Sequence, residues 1–181
     1  MTSMPSPRPT RALRETGQSL WLDYIRRSLL TGGSLEALIE EDEIRGLTSN
    51  PAIFEKAIGG SSEYDGAIEE MLEEDPEVDV HEMYERLAVS DIQQATDIFR
   101  PVYEDTGYDG MVSLEVNPHL ARDTEGTVQE ARRLWKAVDR PNLLIKVPAT
   151  PAGIPAIEQL IAEGINVNVT LMFSLEDYEN V

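Results

Sequence analysis

Asn142-Leu-Leu-Ile-Lys-Val-Pro-Ala-Thr150 is the stretch on which the fold turns. Leu143, Leu144, Ile145 and Val147 form an apolar run of strand length that Pro148 ends and Thr150-Pro151 follows as a helix opening. A continuous apolar run between helical patterns reads as a strand of a parallel sheet covered by helices. Lys146 interrupts that run. Burial disfavours an ammonium and makes the neutral amine accessible, and such an amine attacks carbonyl carbon to form a Schiff base. A lysine at a strand end can also extend its charge to water along an apolar stem. These nine residues leave both readings open.

Working outward, four further segments have strand character: residues 19–24, 46–54 (a strand running into a loop), 111–117 and 165–171. Helical spacing fills the intervals, over 64–74, 80–103, 124–138 and 150–163, with Ser34 and Ser174 as caps of two more helices. Strands alternating with helices predict parallel βα units. No GxGxxG follows a strand and no GxxxxGK[ST] occurs, so the phosphate cradles of the Rossmann and P-loop folds are missing. The expected architecture is an α/β (β/α)₈ barrel, which needs about 250 residues. With 181 residues, only about the first five βα units are expected, over 17–181, behind a disordered leader at 1–16.

Composition narrows the function. The formal net charge is −19, from 34 acidic and 15 basic residues, which argues against nucleic acid and anionic membrane as partners. The acids gather in 69–85 as a solvated helix face. The chain has no cysteine and two histidines, so disulfides and thiolate chemistry are out and a zinc site is not expected. His81 reads as solvated and His119 as a loop residue; Arg26 and Arg27 read as a solvent-exposed helix start.

Side chains alternate along a strand, so parity tests the barrel. Asn166, Asn168 and Thr170 share one face; Ser113, Glu115 and Asn117 share another; Thr48 pairs with Asn50, and Asp23 with Trp21 and Ser19. The opposite faces are apolar and suit packing on helices. The polar faces then point into the barrel, toward Lys146, at the strand ends where barrel enzymes place catalytic groups. A water-filled open-sheet cleft would be the structural explanation of the same pattern. Asp23 and Glu115 are the carboxylates at strand ends in this set. Carbinolamine dehydration and carbon–carbon cleavage need proton transfers that a carboxylate can make directly or through one water. Thr170 could orient that water with Glu115, and Asn50 and Asn168 could bind substrate hydroxyls.

These residues resemble the transaldolase family. Gly46-Leu-Thr-Ser-Asn-Pro-Ala-Ile-Phe54 is similar to its TSNP signature, and Leu144-Ile-Lys-Val-Pro-Ala-Thr-Pro-Ala-Gly-Ile154 to its active-site lysine signature. Val112-Ser-Leu-Glu-Val116, Leu120-Ala-Arg-Asp-Thr-Glu-Gly-Thr127 and Asn166-Val-Asn-Val-Thr-Leu-Met-Phe-Ser174 resemble further family segments. The resemblance implies that Lys146 forms the Schiff base, Asp23 is the acid/base, Glu115 and Thr170 hold the catalytic water, and Asn50 and Asn168 order the site. It implies transfer of a dihydroxyacetone unit from sedoheptulose 7-phosphate to glyceraldehyde 3-phosphate in the non-oxidative pentose phosphate pathway of the cytoplasm. No metal or organic cofactor is implied. Sugar phosphates are the expected partners, a homodimer fits, and some longer bacterial members are fused to glucose-6-phosphate isomerase. The family's phosphate-binding serine and arginine fall on the next strand, so the chain alone is expected to be inactive in turnover. A class I aldolase, a non-catalytic sugar-binding barrel and a metal-dependent aldolase are the rivals, the last weakened by the shortage of histidine.

Overall fold

A computed structural model of the chain describes residues 9–41 and 43–181. The strands β1 (Leu20–Asp23), β2 (Ile44–Thr48), β3 (Met111–Glu115), β4 (Leu143–Pro148) and β5 (Val167–Thr170) form one parallel sheet in chain order. Parallel neighbours need crossover connections, and here helices supply them. The helices are α1 (Pro9–Glu15), α2 (Arg27–Thr31), α3 (Ser34–Glu41), α4 (Pro51–Gly59), α5 (Asp65–Glu74), α6 (Val80–Thr106), α7 (Thr124–Val138), α8 (Gly153–Ala162) and α9 (Leu175–Asn180), with a 3₁₀ turn at Pro118–Leu120.

The apolar parity row packs outward as the alternation requires. Val112, Leu114 and Val116 of the β3 segment and Leu143, Ile145 and Val147 of β4 are buried against Ala95 and Phe99 of α6, Ala131 and Leu134 of α7, and Ala156 and Leu160 of α8. On the inner face the sheet curls. In a flat sheet, strands two apart lie about 9.6 Å from each other. Yet Asn168 Nδ2 of β5 donates to Ser113 Oγ of β3 at 2.7 Å, passing over β4. Such contacts between alternate strands characterise barrel interiors. The result is a curled half-barrel with its helices outside. No helix of the described residues is long and apolar enough to cross a membrane.

Two glycines let the sheet close. A Cβ on Gly46 would stand 2.4 Å from the Trp21 ring, so the indole lies over β2 where only glycine fits. A Cβ on Gly153 would meet the Pro148 carbonyl oxygen at 2.0 Å, so the turn from β4 into α8 requires a residue without a side chain.

Several boundaries differ from the reading of the sequence. Strand β2 ends at Thr48, and residues 51–54 are helical rather than loop: Asn50 accepts from Ile53 N at 3.0 Å, and Pro51 opens α4. Asn-Pro is a cap followed by a first-turn proline, which makes it a helix start. Within the stretch expected to be a disordered leader, residues 9–15 are helical, and Arg11 and Arg14 of α1 pair with Glu43. Positions 1–8 lie outside the described residues. Helix α2 does begin at Arg26 and Arg27, but the two arginines are not free at its start: Arg26 pairs with Glu63, and Arg27 Nε donates to the fully buried Asp91 at 2.8 Å.

Candidate active site

Lys146 points from the middle of β4 into the concave face. Its side chain is 12% exposed, its ammonium donates to the Ser49 carbonyl at 3.2 Å, and Glu115 Oε2 lies 3.4 Å away. Glu115 and Lys146 are register partners across β3 and β4, so their side chains leave the sheet on the same side. Asn168 is the register partner of Lys146 on β5. Burial pushes the Glu115 carboxyl above its ordinary range, and the Lys146 charge acts against that shift. The amine is therefore set among oxygens, not walled by hydrocarbon as the apolar run of β4 alone would suggest.

The other expected site residues occupy different levels of the same face. The register runs Asp23, Thr48, Ser113, Leu144 across the first four strands. Asp23 is thus two residues lower than Lys146, and it is exposed at the end of β1. Of the two strand-end carboxylates, Glu115 meets the amine directly, whereas Asp23 faces the same hollow across β2 and β3. Thr170 pairs with Pro148, one inward position above Lys146. Asn50 Oδ1 is committed to the cap of α4, which leaves its amide N–H₂ for the hollow. Asn166 departs from the expected set: its Nδ2 donates to the carbonyls of Pro141 (3.2 Å) and Leu143 (3.0 Å), bracing the N-terminal end of β4 instead of facing the amine.

Three participants escaped the sequence reading. Ser49 offers a backbone carbonyl to Lys146 while its hydroxyl donates to the Ser113 carbonyl at 2.9 Å. A backbone acceptor has no side-chain signature, so no pattern could have shown it. Ser113 receives the Asn168 amide, and its parity did signal the inner face. Tyr84, near the start of α6, shares with Glu115 a cavity of about 200 Å³ that His81, Asn117 and His119 also line. Burial pushes the Tyr84 phenol up to about 12, and the charges of Glu115 and Glu85 add to the rise. The helical spacing of α6 does not mark it out from its neighbours.

An amine and a carboxylate side by side, with amides one strand away, can form and hydrolyse an imine. Comparison with known proteins identifies the family. Residues 20–181 match the family model described as transaldolase/fructose-6-phosphate aldolase. The chain belongs to this family. It is 51% identical over 169 residues to the transaldolase of Trichodesmium erythraeum, covering 93% of this chain and 44% of that relative. It is 52% identical over 174 residues to the transaldolase of Thermobifida fusca, covering 96% and 47% of the two chains, and 50% identical over 170 residues to that of Saccharopolyspora erythraea, covering 94% and 46%. The chain spans a little under half the length of these transaldolases. Family membership agrees with the partial barrel, since a parallel sheet in chain order with a lysine on its fourth strand is what the sequence motifs implied.

Proposed function

We propose that the chain carries the Schiff-base part of a transaldolase. Lys146 Nζ attacks the carbonyl carbon of a ketose phosphate, and loss of water from the carbinolamine gives the imine. Deprotonation of the hydroxyl two carbons beyond the imine carbon then breaks the intervening carbon–carbon bond. An aldose leaves, and a dihydroxyacetone enamine stays on the lysine. The enamine adds to glyceraldehyde 3-phosphate, and water releases the new ketose and restores the amine. With sedoheptulose 7-phosphate as donor the products are erythrose 4-phosphate and fructose 6-phosphate, a step of the non-oxidative pentose phosphate pathway in the cytoplasm.

The observation that carries this reading is the inward amine of Lys146 between the Glu115 carboxylate and the Ser49 carbonyl. In the proposal Asp23 moves the protons of dehydration and cleavage, Glu115 with Thr170 holds the water, and Asn50 and Asn168 bind hydroxyls. Burial raises the proton affinity of Glu115 and Lys146 lowers it, so the carboxyl beside the amine is sensitive to what occupies the hollow. Borohydride reduction of the chain in excess fructose 6-phosphate tests it. A reduced adduct on Lys146, absent from Lys146→Ala, is the expected result. A folded chain with no adduct, or with the adduct on another lysine, overturns the proposal.

A second reading has a specific ground, since the family description names fructose-6-phosphate aldolase as well. An aldolase would release free dihydroxyacetone from the enamine without an acceptor. Release of that ketone at the same rate with and without glyceraldehyde 3-phosphate would favour it.

A further inference from the structure

Outside the catalytic hollow, the end of β1 and the flank of α4 enclose a second cleft of about 400 Å³. Tyr24, Arg26 and Lys56 stand around it, and Ile53, Ala57 and Gly60 complete its lining. Tyr24 directly follows Asp23, but neither Asp23 nor Lys146 lines the cleft. The cleft is therefore a neighbour of the reacting hollow and not part of it.

Its electrostatics are unusual for this chain. With a net charge of −19, basic side chains are expected to be occupied by carboxylates, and Arg86, Arg100, Arg132, Arg133 and Arg140 are so occupied. The Lys56 ammonium has no ion pair or hydrogen bond among the described residues, and Lys56 lines the cleft together with Arg26. Arg26 is held in place by Glu63, whose other oxygen accepts from Ser28 N at 2.8 Å. The Glu63 carboxylate thus faces a backbone donor as well as the guanidinium. The Glu63 carboxylate first, and then the Tyr24 hydroxyl, raise the proton affinity of Arg26, which puts the phenol beside the guanidinium.

We propose that this cleft is an anion site that takes a phosphoryl group. A flat guanidinium with a phenolic O–H beside it, and an ammonium across the cleft on α4, suit a group with three acceptor oxygens arranged about phosphorus. Ile53, Ala57 and Gly60 leave room behind the phosphoryl group for a short carbon chain. The source is either free phosphate or the phosphate of a sugar phosphate, and both present the same oxygens.

Calorimetric titration of the chain with inorganic phosphate, at ionic strength held constant with chloride, is the test. Saturable binding is expected, weakened about tenfold or more in Lys56→Ala and less in Tyr24→Phe. Lys56 is exposed on its helix, so its truncation leaves the fold intact. Arg122→Ala, a cation elsewhere on the molecule, should bind as the parent does. Absence of saturable heat, equal affinity in Lys56→Ala, or an equal loss in Arg122→Ala overturns the site. Fructose 6-phosphate titrated into Lys146→Ala, which cannot form the imine, separates the sources. Lys56-dependent binding tighter than that of phosphate assigns a sugar phosphate, and equal affinity assigns free phosphate. The readout is independent of the Schiff base, so the two proposals stand or fall separately.

Discussion

Replacing Arg27 by alanine isolates the energetics of Asp91, the one fully buried aspartate among the described residues. Asp91 is 0% exposed, accepts from Tyr64 Oη at 2.7 Å and from Arg27 Nε at 2.8 Å, and the Arg27 guanidinium lies 4.8 Å from the centre of the Tyr64 ring. Removing the cation leaves a buried carboxylate with one remaining side-chain donor. Breaking such a pair costs about 3–5 kcal/mol. The lower end, about 3 kcal/mol, applies here because Tyr64 still donates and the Arg27 side chain is itself 20% exposed. Burial pushes the proton affinity of Asp91 above the ordinary carboxylate range, against the opposing pull of Tyr64 and Arg27. The sign follows from that direction. The folded protein holds this proton more tightly than the unfolded chain, so the group's contribution is full below the unfolded value and is lost as pH rises through the folded one. Without Arg27 the native affinity for the proton rises further, and the cost of the substitution grows with pH. Urea unfolding from about pH 5 to about pH 8 should show a penalty near 3 kcal/mol at the alkaline end and a smaller one at the acid end. In Tyr64→Phe the ring stays and the hydroxyl goes, and the loss should be about 2 kcal/mol. A penalty for Arg27→Ala that is flat across this range, or below about 1 kcal/mol throughout, refutes the account of a paired buried charge.

The remaining expectations concern the hollow and its frame. Glu115→Gln should retain the fold and slow borohydride trapping by about tenfold or more, measured as adduct formed against time; an unchanged rate would remove Glu115 from the proton transfers. Gly46→Ala should cost about 1–3 kcal/mol and shift Trp21 fluorescence, because the new methyl meets the indole, and Trp21→Leu in the same chain should recover part of the loss. Asn50→Ala should cost about 1 kcal/mol through the lost cap of α4. Tyr84 should ionise at about 12 against an unfolded value of 10.0, so its contribution is present below pH 10 and disappears as pH climbs toward 12. Ultraviolet titration of Tyr84→Phe beside the parent should lack that late phase.

The order of the sheet and the inward-facing position of Lys146 were legible because they rest on local pattern. An apolar run, a terminating proline and period-two alternation each leave a trace in neighbouring residues. Helix α7 was read at Thr124–Val138, where the structure has it, because Asp123 and the apolar spacing agree. Asn50-Pro51 was misread because Ile53 and Phe54 extend the apolar tone of β2 past the cap, and hydrophobicity outweighed capping chemistry. Arg27 was misread because its partner Asp91 lies 64 positions later in a helix whose other buried residues are mostly apolar. Nothing in the local sequence distinguishes that aspartate from the solvated acids of 69–85. Asn166 shows the limit of parity: alternation gives the face of a side chain, and local carbonyls decide what it bonds.

The hydrogen bond from Lys146 to Ser49 joins groups separated by 97 positions in the chain. The bearing of the Lys146 amine is thus decided by a segment synthesised long before it, and no local hairpin or single βα unit can aim it. Contacts of such span form late, since distant segments must meet first. A chain caught partway to its native form would carry the lysine without its orientation. Formation of the sheet and orientation of the Lys146 amine are therefore coupled.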